Sequence, residues 1–132
     1  MEEIKHLTLI VKAGVRWCFD GDEEIKIKAW LENLVTDMGM NIMDGPFCTY
    51  LERKGLKGWT ATIHIETSHI VIHSWEEKYP VRIDLHVYTC GKMNVPVIRK
   101  ALDVFEIIND QFEYILLDIE DEFKILPIEF EQ

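Results

Sequence analysis

Reactive side chains gather in one stretch of the chain. Of five histidines, His64, His69, His73 and His86 fall close together, with Ser68 among them and Cys90 just beyond. A histidine cluster first raises the question of a metal site. His69 and His73 are four apart, which on a strand is roughly 13 Å, too far for both to hold one zinc ion. A helix would bring them together, but Ile70-Val71-Ile72 is β-branched throughout and predicts a strand. No metal is therefore expected. Ser68, His73 and either Asp84 or Glu77 also supply the residue types of a hydrolytic triad. Their setting differs, because Glu66-Thr67-Ser68-His69-Ile70 runs into another strand and carries no Gly-x-Ser-x-Gly elbow. Pattern alone leaves a plainer reading open, in which these are half-exposed strand histidines with no chemistry.

The elements that must position these residues read as follows. Lys5 to Lys12 predicts a strand, and a turn follows at Asp20-Gly21-Asp22. From Glu23 to Met38 the apolar residues Ile27, Trp30, Leu31, Leu34, Val35 and Met38 recur at helical spacing, and Gly39 closes the helix. Met40 to Glu52 predicts a strand kinked at Asp44-Gly45-Pro46. Three β-type runs follow closely, Trp59 to Glu66, His69 to Trp75 and Val81 to Thr89, at separations that suit antiparallel neighbours. In the last run Val81, Ile83, Leu85 and Val87 share one face, and Arg82, Asp84, His86, Tyr88 and Cys90 the other. Asn94 as N-cap and Pro96 in the first turn open a second helix, whose buried stripe is Ile98, Ala101, Leu102, Phe105 and Ile108. A last strand, Phe112 to Ile119, precedes an acidic tail carrying Leu126-Pro127-Ile128 and Phe130. This order predicts an α+β two-layer sandwich, a mainly antiparallel sheet with two helices on one face. The other face is then solvated, occupied by a site, or buried in a partner.

Composition bounds the function. The chain has 132 residues, 48% of them hydrophobic, which suits a single domain over residues 1–132. A net charge of −10 opposes nucleic acid and anionic membrane surfaces as partners. The opening Met1-Glu2-Glu3-Ile4-Lys5-His6 does not resemble a secretion signal, and no apolar run approaches the roughly 18 residues of a membrane span. A cytoplasmic protein is expected. Cys18, Cys48 and Cys90 are odd in number and irregularly spaced, so neither a disulfide framework nor a zinc ribbon is indicated, and at least one thiol should be free.

Three blocks then carry a resemblance. Gly58-Trp59-Thr60, Glu66-Thr67-Ser68-His69-Ile70-Val71-Ile72-His73-Ser74-Trp75-Glu76-Glu77 and Tyr88-Thr89-Cys90-Gly91 resemble the signature of the small prokaryotic S-adenosylmethionine decarboxylases. That family shows Gly-x-Ser/Thr, then Glu-Ser-His-Ile-x-Ile-His-Thr-Trp-Pro-Glu, then Thr-Cys-Gly, in this order. The resemblance implies a self-made cofactor, a pyruvoyl group left at Ser68 when the chain cuts itself before that residue. It implies that His73 takes the serine α-proton, that Thr60 assists, that Cys90 donates the proton to the substrate α-carbon, and that Glu77 receives the substrate's ribose hydroxyls. Decarboxylation would run through a Schiff base to the pyruvoyl carbonyl and supply spermidine synthesis. The family fold pairs its protomers, which implies a homodimer.

Departures from the pattern carry expectations of their own. Thr67 stands where the family has glutamate, stiffening the bond that must rearrange and removing a carboxylate. Glu76 replaces a proline, and two additional residues separate Trp75 from Cys90, an even number that keeps Cys90 on its face. The first strand, His6-Leu7-Thr8-Leu9-Ile10-Val11-Lys12, lacks the family's acidic and aromatic pair, which motivates a second reading as a pyruvoyl-dependent decarboxylase of ornithine or arginine. Thr67 motivates a third, a non-processing homologue that binds a ligand or partner chain. Phe47 and Tyr50 are the rings available to stack on adenine, and both read first as core residues.

Overall fold

The computed structural model describes residues 6–17 and 19–128, so Cys18 and Phe130 lie outside the described residues. Its strands are β1 (His6–Val15), β2 (Ile42–Leu51), β3 (Gly58–Ile65), β4 (Ser68–Trp75), β5 (Val81–Cys90), β6 (Ile107–Asp118) and β7 (Lys124–Leu126). They form one sheet in the order β2-β3-β4-β5-β1-β6-β7, and every neighbouring pair is antiparallel. Two helices, α1 (Glu23–Asp37) and α2 (Val95–Ala101), complete the α+β sandwich.

Alternation along the strands sorts their side chains. Leu9 and Val11 of β1, Ile63 of β3, Ile70 and Ile72 of β4, and Ile83, Leu85 and Val87 of β5 are buried. Against them packs the predicted stripe of α1, Ile27, Trp30, Leu31, Leu34 and Val35, each step of three or four residues bringing another apolar side chain to the same side. Burial of each large aliphatic residue contributes about 1.5–3 kcal/mol. The Trp30 indole N–H donates to the Ala101 carbonyl at 2.8 Å and ties the helices together. Asn94 caps α2 by accepting from the Val97 N–H at 3.4 Å, and Pro96 sits in the first turn, as expected.

The second helix is shorter than its apolar stripe suggested. It ends at Ala101, continues as a 3-10 turn over Leu102–Phe105, and stops where Glu106 adopts a left-handed φ of 56°. Leu102 and Phe105 are buried as expected, but Ile108 belongs to β6, which begins at Ile107 and pairs with β1. Sheet pairing thus wins over the helical spacing of these residues. Within the described part of the tail, Lys124–Leu126 pairs with β6, and Leu126 and Ile128 pack on the core. The kink in β2 is a pair of register shifts around Asp44 and the cis Gly45–Pro46 bond. Phe47 and Tyr50 are corrections: both are exposed, at 47% and 39%, because β2 is an edge strand with little beyond it.

The second face of the sheet carries no helix. It presents His6 and Thr8 from β1, Thr60 and His64 from β3, His69 and His73 from β4, and Asp84, His86, Tyr88 and Cys90 from β5. All five histidines of the chain therefore lie on one face.

Candidate active site

The first of two clusters forms at the β3–β4 hairpin. Ile65 and Ser68 pair across it, leaving Glu66 and Thr67 as a two-residue turn. Ser68 is 7% exposed, and its Oγ accepts a hydrogen bond from the Cys90 N–H at 2.9 Å. Cys90 ends β5, half-buried, directly across from His6 of β1. His6 Nδ1 lies 2.6 Å from the Tyr88 hydroxyl, and its Nε2 lies 3.2 Å from a Glu120 carboxylate oxygen. A carboxylate only accepts, so Nε2 carries a proton toward Glu120. The Tyr88 ring stacks on His69, the residue after Ser68, at 5.5 Å and 11°. Burial holds the His69 pKa below its usual value, and the neighbouring His64 and His86 add to this.

A second cluster lies at the far end of β4. Thr60 and His73 are cross-strand partners, and the Thr60 hydroxyl is 3.0 Å from His73 Nδ1. On the other side His73 pairs with Asp84, whose carboxylate accepts from the Trp75 indole at 2.7 Å and from Arg82 at 3.0 and 3.2 Å. Burial pushes the His73 pKa down, opposed by Asp84 and helped by His86, so the imidazole is neutral near pH 7 and able to accept a proton. A cleft of about 90 Å³ opens beside this pair, walled by Leu51, Leu56 and Trp75.

Gly58 sets the spacing of this end. A Cβ at Gly58 would collide with the backbone carbonyl of Ser74, so glycine is what lets β3 approach β4 here. Ser74 is buried, accepts from the Trp59 N–H at 2.8 Å and donates to Glu76 at 2.6 Å, and burial raises the Glu76 carboxyl pKa. Glu77 is exposed in the turn after β4. Glu77 follows Trp75, the last residue of β4, by two positions and so lies at the His73 end of the sheet; the Tyr50 phenol pKa is raised by lost hydration and then by the carboxylates Glu76, Glu52, Glu23 and Glu77.

The structure thus brings Ser68 to Cys90, and Thr60 to His73, but keeps the two pairs apart. Ser68 and His73 are five residues apart on one strand, roughly 16 Å, and an odd separation turns them to opposite faces. The sequence reading placed Asp84 and Tyr88 on the reactive face, weighed Asp84 only as the acid of a hydrolytic triad, and gave Tyr88 no role. Their partners Trp75, Arg82, His6 and Glu120 depend on strand register and order, which the sequence pattern does not show. Among the described residues, no group of three or more His, Cys, Asp or Glu is arranged to hold a metal ion, and no helix is long and apolar enough to cross a membrane.

The architecture and these clusters define an α+β protein with a hydroxyl-bearing hairpin residue and a neutral histidine on one strand. Comparison with known families supplies the rest: the sequence profile of S-adenosylmethionine decarboxylase matches residues 21–114, most of the chain and both clusters except His6 and Glu120. The chain belongs to the S-adenosylmethionine decarboxylase family, a family that is pyruvoyl-dependent in general. No curated protein matches the chain.

Proposed function

We propose that this chain cuts itself between Thr67 and Ser68 and, as a symmetric pair of copies, decarboxylates S-adenosylmethionine for spermidine synthesis. The observation that carries this reading is the division of the motif residues between the two ends of strand β4, Ser68 with Cys90 at one and His73 with Thr60 at the other. Self-cleavage needs a nucleophile held beside the carbonyl of the preceding residue and a base for the serine α-proton. The Ser68 hydroxyl, fixed by the Cys90 N–H, suits the first requirement, and the neutral His73 the second. With its Nδ1–H given to the Thr60 oxygen, His73 keeps Nε2 free to take that proton.

Within one chain these groups are too far apart to react. A two-fold axis lying between two stacked sheets and running across the strands reverses strand direction, and so sets the Ser68 end of one copy over the His73 end of the other. Symmetric, self-complementary pairing is the commonest arrangement of soluble oligomers. Each of the two sites then takes Ser68 and Cys90 from one copy and Thr60, His73 and Glu77 from the other.

The residues around Ser68 suit a pyruvoyl group made there, since a backbone N–H already points at the serine oxygen. Such a group supplies an electron sink for the carboxylate's bond electrons. In this reading Cys90 protonates the substrate α-carbon and Glu77 binds the ribose hydroxyls.

Intact-mass analysis tests the first claim. Cleavage before Ser68 yields pieces of 67 and 65 residues, and Ser68→Ala remains whole. A parent chain that stays in one piece after long incubation at neutral pH would leave a binding protein with a shared fold. Carboxyl-labelled S-adenosylmethionine, ornithine and arginine, incubated in parallel, fix the substrate: carbon dioxide from S-adenosylmethionine is expected, and release from either amino acid alone would transfer the assignment.

A further inference from the structure

The residue in front of Ser68 is held in a conformation that its side chain disfavours. Thr67 has a φ of 54°. Among the described residues, the other non-glycine positions with positive φ are Trp17, Asp22, Glu106, Glu122 and Phe123, so Thr67 alone is β-branched. In the left-handed region Cβ is pressed toward the carbonyl oxygen that follows it, and a β-branched residue there is an outlier. For Thr67 that oxygen belongs to the Thr67–Ser68 peptide, the bond proposed to break.

The surroundings pin this geometry from both sides. Ile65 and Ser68 pair across the turn, and the Thr67 hydroxyl donates to the Glu66 carbonyl at 2.6 Å. Asn41 donates to the Glu66 carboxylate at 3.3 Å, and the Cys90 N–H holds the Ser68 oxygen. Strained backbone persists where neighbouring structure over-determines it.

We propose that Thr67 is a positioning residue for self-cleavage: its left-handed backbone stores strain against the carbonyl that Ser68 attacks and releases it as the carbonyl carbon becomes tetrahedral. This inference rests on the self-cleavage reading above. In the step concerned, a bond forms between Ser68 Oγ and the Thr67 carbonyl carbon while the carbon–nitrogen bond breaks. The hydroxyl proton passes to the Ser68 nitrogen, which leaves as an amine. As the flat carbonyl pyramidalises, its oxygen swings away from Cβ, so the crowding is present before the attack and relieved during it. Threonine in place of the family's glutamate therefore exchanges a carboxylate for a loaded backbone.

Two measurements test this. In a Ser68→Ala background, which stays whole, Thr67→Gly should raise the melting temperature and Thr67→Asn raise it less, because glycine adopts positive φ freely and asparagine tolerates it. With Ser68 present, Thr67→Gly should slow the appearance of the two pieces roughly tenfold, the fold-change that 1–2 kcal/mol of lost strain implies, with Thr67→Asn between glycine and the parent. A glycine variant that divides as fast as the parent, or that melts no higher in the uncut background, overturns the inference and leaves the self-cleavage reading intact. A parent that never divides overturns both.

Discussion

Ser68 and His73 share strand β4 but face opposite sides of it, roughly 16 Å apart, so the proposed nucleophile and the proposed base cannot meet within one chain. Each instead has a local companion, the Cys90 N–H for Ser68 and the Thr60 hydroxyl for His73. A reaction between them is a reaction between copies.

Mixing two inactive variants tests that relationship. His73→Ala and Ser68→Ala chains should each stay whole alone. Refolded together, the His73→Ala chain should divide, because its Ser68 then meets an intact His73 on the other copy. Mass spectrometry distinguishes the two chains. Absence of cleavage in the mixture, with mixed pairs verified by a tag, would assign the base to the same chain.

Removal of the base should expose the ester stage. His73→Ala leaves the Ser68 oxygen and its N–H partner in place, so the acyl shift can proceed while the α-proton stays. Hydroxylamine attacks esters and should release the two pieces from this variant within hours at neutral pH. A chain that hydroxylamine leaves whole would show that His73 acts before the ester forms.

Acid should weaken the uncut protein through two partly desolvated imidazoles of the helix-free face. The pKa values of His69 and His73 are lowered in the folded chain, chiefly by burial, whereas in the unfolded chain they return to about 6.5. As pH falls through about 6.5 toward the folded values, the unfolded state binds protons first, and stability drops; above that window this contribution is fully present. Thermal melts of Ser68→Ala from pH 7.5 to 5 should show the decline, and His73→Gln in the same background should make it shallower. An unchanged slope would mean that His73 titrates alike in both states.

Gly58 offers a purely steric test at the other end of the strand. A methyl group there meets the Ser74 carbonyl, and the backbone has a φ of 155°, so Gly58→Ala should lower stability by roughly 2–3 kcal/mol. Urea denaturation of the Ser68→Ala protein with and without this change measures it. A midpoint shift of a few tenths of a molar would show that β3 can retreat at little cost.

Much of this architecture was legible in the sequence because alternation and helical spacing are local. The run Val81 to Thr89 announced its buried and reactive faces, and Ile27 to Val35 announced the stripe of α1, since each pattern needs only the neighbouring few residues. The same arithmetic, applied to the five-residue step from Ser68 to His73, already puts them on opposite faces. What stayed hidden was non-local. That β1 lies between β5 and β6, bringing His6 to Tyr88 and Cys90, depends on pairings across some eighty residues. The end of α2 was hidden for a related reason: Ile108 fits a helical stripe, and the pairing of its segment with a distant strand decided otherwise. Thr67 was visible as a substitution, but its backbone angle was not.

Strand order also governs what becomes of the molecule once it is cut. The upstream piece would own β1, β2 and β3, and the downstream piece β4 through β7, yet β1 runs between β5 and β6. Ten cross-strand partners bind it to β5, and eight to β6. The two pieces are therefore interlaced like the fingers of clasped hands, and neither can depart without tearing the middle of the sheet. Scission would change the covalent map and leave the shape, so the halves should co-migrate through gel filtration and separate only in denaturant.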